Sequence, residues 1–500
     1  MSLRTRCVLL AILCCAIAHL ASAQSVTPRN LDRRLDDFRK QTRLRVDPAA
    51  PADERIYFDG GAFVAVNYLS LDDSNLETHV LRQYDFTAFG RMSIDNGVHD
   101  LFVRGRASFR NFNDGDVFGD SDNNDWDEVL ERAFYRFDLS RFLGAYYGQE
   151  PSTTLRLKAG RDFAYWANGL TLAQTLDGVA IEADSAAFNL QLLAAVTAPD
   201  ATIDIDTSRP DFNTETHRGF FGAMATLKLQ DHRPFAYFLT QRDFNNDRLI
   251  LTSPAIPDLG GSGEPEVIET RYDYNSYYFG LGSAGPISDH LFYSFELVGE
   301  FGETLSNSFD IIDTAGGARI VQGTQEDDPI RAFAVDVLLD YAPPAQMQPR
   351  FSLEFLLATG DDDRGHPTNA FNGNSAGTND RGFNGFGLVN TGLAFAPDAT
   401  NLLMLRTGAS IYPLPQSRMF EKLQIGADLY WFGKFDENAA IAEPTSSNQY
   451  LGFEPDLFLN WQISSDVSLA VRYGIFFPGE AIENDHLPRQ FFFAGVTFAL

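Results

Sequence analysis

The stretch Leu101-Phe102-Val103-Arg104-Gly105-Arg106-Ala107-Ser108-Phe109-Arg110 decides the fold, because its side chains alternate in character. Leu101, Val103, Gly105, Ala107 and Phe109 make one file; Phe102, Arg104, Arg106, Ser108 and Arg110 make the other, which carries the charge. Successive side chains of a strand point to opposite faces, so one face of this strand suits lipid and the other suits water. The alternation recurs in Phe333-Val335-Val337-Leu339-Tyr341 against Asp336 and Asp340. It recurs again in Phe351-Leu353-Phe355-Leu357 against Arg350, Ser352 and Glu354. Soluble sandwich strands average about five or six residues, whereas a tilted membrane strand needs about 9 to 11, and these segments have the membrane length. No internal run approaches the roughly 20 apolar residues of a membrane helix. The expectation is an all-β chain forming a transmembrane antiparallel β-barrel, closed because lipid offers an open sheet edge no hydrogen-bond partner.

Loop lengths test this independently, since such barrels have short periplasmic turns and long external loops. Short turns are expected at Asp95 to Val98, Ala183 to Ala186, Gln230 to Arg233, Ala284 to Asp289, Ala342 to Pro349, Pro413 to Met419 and Ser464 to Asp466. Long polar stretches lie near 72–82, 112–127, 162–174, 198–216, 244–269, 303–329, 360–400, 435–449 and 478–489. Nineteen runs look strand-like, but counting Phe386 to Phe395 as a strand inverts the short-long order of everything after it. Placing that run in the seventh loop restores the order and predicts about 18 strands with both termini periplasmic. Phe492, Ala494, Val496, Phe498 and Leu500 alternate to the last residue, resembling the terminal strand by which outer-membrane barrels are recognised for assembly, with Leu where Phe is usual.

Composition fits the same reading. The chain has 43 Phe and 18 Tyr, a formal charge of −29 and 44% apolar residues, which together exclude disorder and disfavour a nucleic-acid partner. Residues 1–23 read as a secretory signal: Arg4 and Arg6, an apolar run from Val8 to Leu20, and Ala21-Ser22-Ala23 before Gln24. All three cysteines, Cys7, Cys14 and Cys15, fall inside it, so the mature chain is expected to have no disulfide, lipid anchor or thiolate metal site. Residues 24–55 form a basic periplasmic segment in which Leu31, Leu35 and Phe38 suggest a short amphipathic helix before a Pro-Ala linker. It reads as a mobile leader, or else as a plug or oligomerisation stub. Residues 56–500 are assigned to the barrel.

With the apolar face outward, Arg104, Arg106 and Arg110, then Arg132 and Arg136, then Arg156 and Lys158 face the lumen from three neighbouring strands. Arg242, Arg350, Arg406 and Arg472 are further inward candidates. So are the acids Glu182, Glu296, Glu300, Asp336, Asp340, Glu354, Asp428, Glu454 and Asp456. Such a basic wall is expected to pass anions, because guanidinium groups bind carboxylates bidentately and rings of Arg or Lys select anionic solutes. The blander alternative is that these arginines pair with inward acids and stiffen the wall.

Leu155-Arg156-Leu157-Lys158-Ala159-Gly160-Arg161-Asp162, followed by Leu176-Asp177-Gly178-Val179, resembles the L-x-x-G-R-Q … D-G-V signature of the bacterial alginate-export outer-membrane family. Leu130-Glu131-Arg132-Ala133-Phe134-Tyr135 is similar to the L-R-E-A-Y strand that precedes it, and Asp162 stands where Gln is commoner. The resemblance is sharpest over about 128–183. It implies an 18-stranded monomeric barrel in the bacterial outer membrane, with an arginine-lined constriction exporting a linear uronate polymer. Arg161 is the motif arginine it carries over to the substrate pathway. Outer-membrane lipids and periplasmic secretion partners are implied alongside the polysaccharide. No cofactor is expected.

A general or substrate-selective porin for small anionic solutes is the alternative; its eyelet would set the basic wall across from acids such as Asp336 and Glu354. A third reading is a surface protein that uses the long seventh loop. Catalysis is not expected, because His79, His99, His217, His232, His290, His366 and His486 lie at strand ends, turns or loops with no catalytic motif beside them. Asp120, Asp122, Asn124 and Glu131 have a calcium-loop spacing, but Asp125 replaces the required Gly, and solvated loop charge is the simpler account. Asp361, Asp362 and Asp363 make the seventh loop acidic.

Overall fold

The protein is described by a computed structural model covering residues 55–500 except 73–77, 114–124, 150, 200, 203–215, 246–247, 253–266, 315–316, 365–372, 444 and 484–486. The signal, residues 24–54, most of the calcium-like spacing, His366 and His486 lie outside the described residues. In chain order the strands are β1 (Ile56–Asp72), β2 (Thr78–Ile94), β3 (His99–Phe112), β4 (Asp125–Asp138), β5 (Thr153–Tyr165), β6 (Ala173–Ser185), β7 (Phe188–Thr197) and β8 (Arg218–Leu227). There follow β9 (Arg233–Asp243), β10 (Arg248–Thr252), β11 (Val267–Arg271), β12 (Tyr274–Ser288), β13 (Leu291–Leu305), β14 (Phe309–Thr314), β15 (Gly317–Gln322) and β16 (Asp327–Tyr341). The last six are β17 (Arg350–Ala358), β18 (Leu402–Ile411), β19 (Leu423–Lys434), β20 (Tyr450–Gln462), β21 (Val467–Pro478) and β22 (Arg489–Ala499).

Eighteen of these form one antiparallel sheet, and β22 pairs back onto β1 with Val66 opposite Val496, so the sheet closes into a barrel. The hairpins β10–β11 and β14–β15 stand apart from it, in the fifth and sixth external loops. The strand count is the expected one, and Phe386 to Phe395 is not a strand. The turn after β2 shows why the short connections work: Asp95, Asn96 and Gly97 have φ of 53°, 55° and 85°, a left-handed path that Asn, Asp and Gly tolerate best. The connection from β4 to β5 holds a helix that sequence reading did not anticipate, α1 (Leu139–Tyr147). Asp138 caps its start by accepting from the Arg141 amide at 2.9 Å, and Gly148 ends it at φ 64°.

Large apolar side chains cover the outside. Phe279 and Leu281 of β12, Leu297 of β13, Phe333 of β16, Phe355 of β17 and Leu405 of β18 are all exposed, and such a continuous apolar band belongs in lipid. Leu297, midway along β13, gives a stability prediction. Leu297→Arg should lower folding stability in vesicles by about 2–4 kcal/mol, the cost of a guanidinium near the bilayer midplane. Urea titration of vesicle-inserted protein measures it, and an unchanged midpoint would mean that this face does not meet lipid.

The interior is filled from above rather than by the wall alone. The third external loop (166–172) and the described part of the seventh (359–364 and 373–401) both fold into the barrel and join each other: the Leu388 amide donates to Gly169 O and the Ala173 amide to Phe386 O, each at 2.9 Å. A Cβ on Gly387 would lie 1.9 Å from Gly169 O, so only glycine permits this approach. Phe386 packs edge-on against Phe220 of β8 and Tyr278 of β12, while Phe395 stacks on Phe476 of β21 with ring centroids 4.1 Å apart. That contact explains why Phe386 to Phe395 reads as strand-like: its apolar residues are buried against the inner wall, not paired in the sheet.

Candidate functional site

The register of β3, β4 and β5 builds the basic wall. Arg104 lies opposite Arg132, and Arg136 opposite Lys158. After Arg104 the register slips by one residue, leaving Glu131 as a bulge. A bulge re-aims a side chain, and here the Glu131 carboxylate meets Arg104 Nε at 2.7 Å and Arg106 Nε at 3.6 Å. Arg132 Nε donates to Asp162 at 2.5 Å, and Lys158 pairs with the other oxygen of the same carboxylate. Arg104, Arg106, Arg132 and Lys158 therefore share two acids, which leaves a surplus of two positive charges at mid-wall.

Above and below, the pairing continues. Arg110 binds Asp127 toward the outside. Toward the periplasm Arg136 binds Asp100 at 2.6 Å, and Arg156 lies 3.4 Å from both Asp138 and Glu182. The blander expectation, that inward acids pair with these arginines, is thus met at every one of them. Pairing does not remove them from the lumen: the side chains of Arg104, Arg106, Arg110, Arg136, Arg156 and Lys158 are 22–35% exposed.

Two sequence placements are corrected. Arg161 shares the phase of outward-facing Leu155 and Leu157, so it lies on the outer face near the top of β5, where it grips Asp177 with two bonds of 2.8 Å. It does not join the lumenal groups. Arg242 likewise shares the phase of exposed Phe238 and sits 4.7 Å from the Tyr277 ring, also on the outer face. Arg350 and Arg406 do face inward, paired with Asp340 and Glu354, and Arg472 packs over Phe458.

The alternation that turns the arginines inward also turns an aromatic file inward. Phe89, Phe102 and Phe134 point inward and stack across β2, β3 and β4, with centroids 6.3 and 5.4 Å apart. Arg132 lies 5.4 Å from the Phe102 centroid and 5.5 Å from that of Phe134, and Lys158 is 5.5 Å from Phe134. Cation–π attraction fixes these charges in position without neutralising them.

Across the ring the inward acids have a different fate. Glu296, Glu300, Asp336, Glu354, Glu454 and Asp456 are only 0–7% exposed. Glu296 accepts the Asn168 amide at 2.8 Å and the Tyr237 hydroxyl at 2.5 Å, while Asp336 accepts the Asn168 side-chain amide at 2.8 Å. Glu300 accepts the Asn384 amide at 2.8 Å. Glu454 accepts three consecutive amides, Leu393 and Ala394 at 2.6 Å and Phe395 at 2.9 Å, a nest opened by Gly392 at φ 101°. At the root of the seventh loop Asp361 and Asp380 flank Arg364 at 3.5 and 3.2 Å, and Asp362 meets Arg381. Burial pushes the Asp361 carboxyl up to about 6 against the pull of Arg364.

A closed barrel with a lipid-facing belt and a charged, partly filled lumen is a channel of the bacterial outer membrane. More particularly, the chain belongs to the alginate export family, which it matches over residues 93–489. Among solved structures it is similar to Pseudomonas aeruginosa OccK11 (OpdR), at 12% identity and a TM-score of 0.50 over 88% of this chain and 96% of that one. It is similar also to Pseudomonas aeruginosa OccK5 (OpdH), at 11% identity and a TM-score of 0.50 over 89% and 98%. Pseudomonas aeruginosa OpdK with vanillate shares 12% identity and a TM-score of 0.50, again over 89% and 98%. Likeness at such identity is likeness of fold. No curated protein matches the sequence.

Proposed function

We propose that the protein exports an anionic, uronate-like polysaccharide of the alginate type, acting as a monomer, along the basic wall of β3, β4 and β5. The observation that carries this reading is the asymmetry of the lumen: the cations other than Arg132 stay partly exposed, while the acids across the ring are buried, four of them beneath loop residues. Membership of the alginate export family supports it. Because each basic group already has a carboxylate partner, a polymer carboxylate exchanges with Glu131, Asp127, Asp162 or Glu182 instead of filling an empty site. Exchange between like partners keeps each contact weak, and weak repeated contacts are what conduction requires. A porin eyelet with Asp336 and Glu354 facing the arginines is not favoured, since Asp336 is bound to Asn168 and Glu354 to Arg406.

The test is release from vesicles. Vesicles holding the purified protein and loaded with oligouronate should empty faster than vesicles loaded with neutral glucan of the same length. Equal release of both would overturn the anionic-polymer reading.

A further inference from the structure

We propose that the third and seventh external loops set the charge selectivity of the channel: by capping the acidic wall they withdraw its carboxylates from the conduction path. The inference rests on the anion-channel reading above. The wall strands themselves do not carry an anion preference. β13, β16, β17 and β20 present Glu296, Glu300, Asp336, Glu354, Glu454 and Asp456 to the interior, and only Glu354 has a cationic partner within 4 Å among the described residues, Arg406. Five carboxylates without a cation outweigh the surplus of two positive charges at the middle of the opposite wall.

What keeps four of these acids from the lumen is the two loops, through backbone amides and the Asn168 side chain. Asn168 closes over Glu296 and Asp336, Asn384 over Glu300, and Leu393 to Phe395 over Glu454. Amide groups replace water at these four carboxyls, so they are withdrawn from contact with a passing ion, and burial in an apolar surrounding disfavours their charged form. Phe386 and Phe395 hold the cap down by packing on Phe220, Tyr278 and Phe476. Among the described residues, six of the seven cations of the basic wall stay 22–35% exposed, and only Arg132 is buried.

The seventh loop can be removed without disturbing its strands, because its ends already meet: the Asn401 amide donates to Thr359 O at 3.0 Å. The experiment compares three full-barrel proteins in planar bilayers at neutral pH. They are the wild type, a variant with residues 361–399 replaced by a short Gly-Ser linker, and the full-length double variant Phe386→Ala/Phe395→Ala. Chloride-to-potassium permeability above one in the wild type should fall below one in the shortened protein and move the same way in the double variant. Adding Glu300→Gln and Glu454→Gln to the shortened protein should raise the ratio again, an effect that mere widening of the pore would not give. Anion preference kept by both variants, or no recovery with the Gln substitutions, overturns the inference alone. Cation preference already present in the wild type overturns the anion-channel reading and the inference with it.

Discussion

Replacing Arg104, Arg106, Arg132 and Arg156 together by alanine is expected to lower the anion-to-cation permeability ratio at least about tenfold and to carry it below one. A unit charge about 12 Å from a passing ion, at an effective dielectric near 20, contributes about 1.4 kcal/mol, which is a factor of ten. The four substitutions do more than remove positive charge. They leave Glu131 without either of its partners, leave Asp162 with Lys158 alone, and free Glu182 and Asp138 from Arg156. The wall then carries a surplus of acids. Arg161→Ala is the matched control: its guanidinium is on the outer face with Asp177, so selectivity should not move. Loss of selectivity in that control would restore Arg161 to the pathway.

Asp162→Asn should act in the opposite direction on selectivity and at a cost in stability. Asp162 is buried and holds both Arg132 and Lys158, so neutralising it raises the local surplus from two positive charges to three. Anion permeability relative to cations should rise about threefold to tenfold by the same Coulomb arithmetic. The loss of two charge-assisted bonds should lower folding stability in vesicles by about 2 kcal/mol. Reversal potential and urea titration on the same preparation check the two halves separately. Unchanged selectivity with lowered stability would make Asp162 a structural anchor that a translocating ion does not sense. This is also the position at which the chain departs from the commoner Gln of its family's motif, so the substitution asks what that departure does.

Most of the barrel was legible because its rule is local. A period of two, about ten residues long and bounded by Asp-Asn-Gly or Pro-rich turns, fixes both the strand and the face that meets lipid. The assignment of Phe386 to Phe395 to a loop followed from the order of short and long connections, a constraint that closure imposes on the whole chain. The arginines of β3 to β5 were legible for the same reason, since phase alone turns them inward. The motif resemblance assigns Arg161 to the pathway, but the phase it shares with Leu155 and Leu157 places it on the outer face.

What stayed hidden depends on contacts across the barrel. No sequence pattern announces that the Glu454 carboxylate will take three amides from a loop some 60 residues earlier, or that Glu296 will take one from Asn168. Phase turns these acids inward, but it does not show which of them a loop will cover. Two partial signals existed: the Gly-rich Asn384-Gly385-Phe386-Gly387, which lets backbones touch, and Asp138 with Gly148, which cap α1.

The reversal potential of the purified protein in a planar bilayer under a potassium chloride gradient, measured with and without uronate oligomers, tests the proposed anion pathway most directly. Chloride preference, with current blocked by uronates and not by neutral oligosaccharides, is the predicted result. Potassium preference without block would mean that the acids govern the lumen, and the proposed export of an anionic polymer would be contradicted.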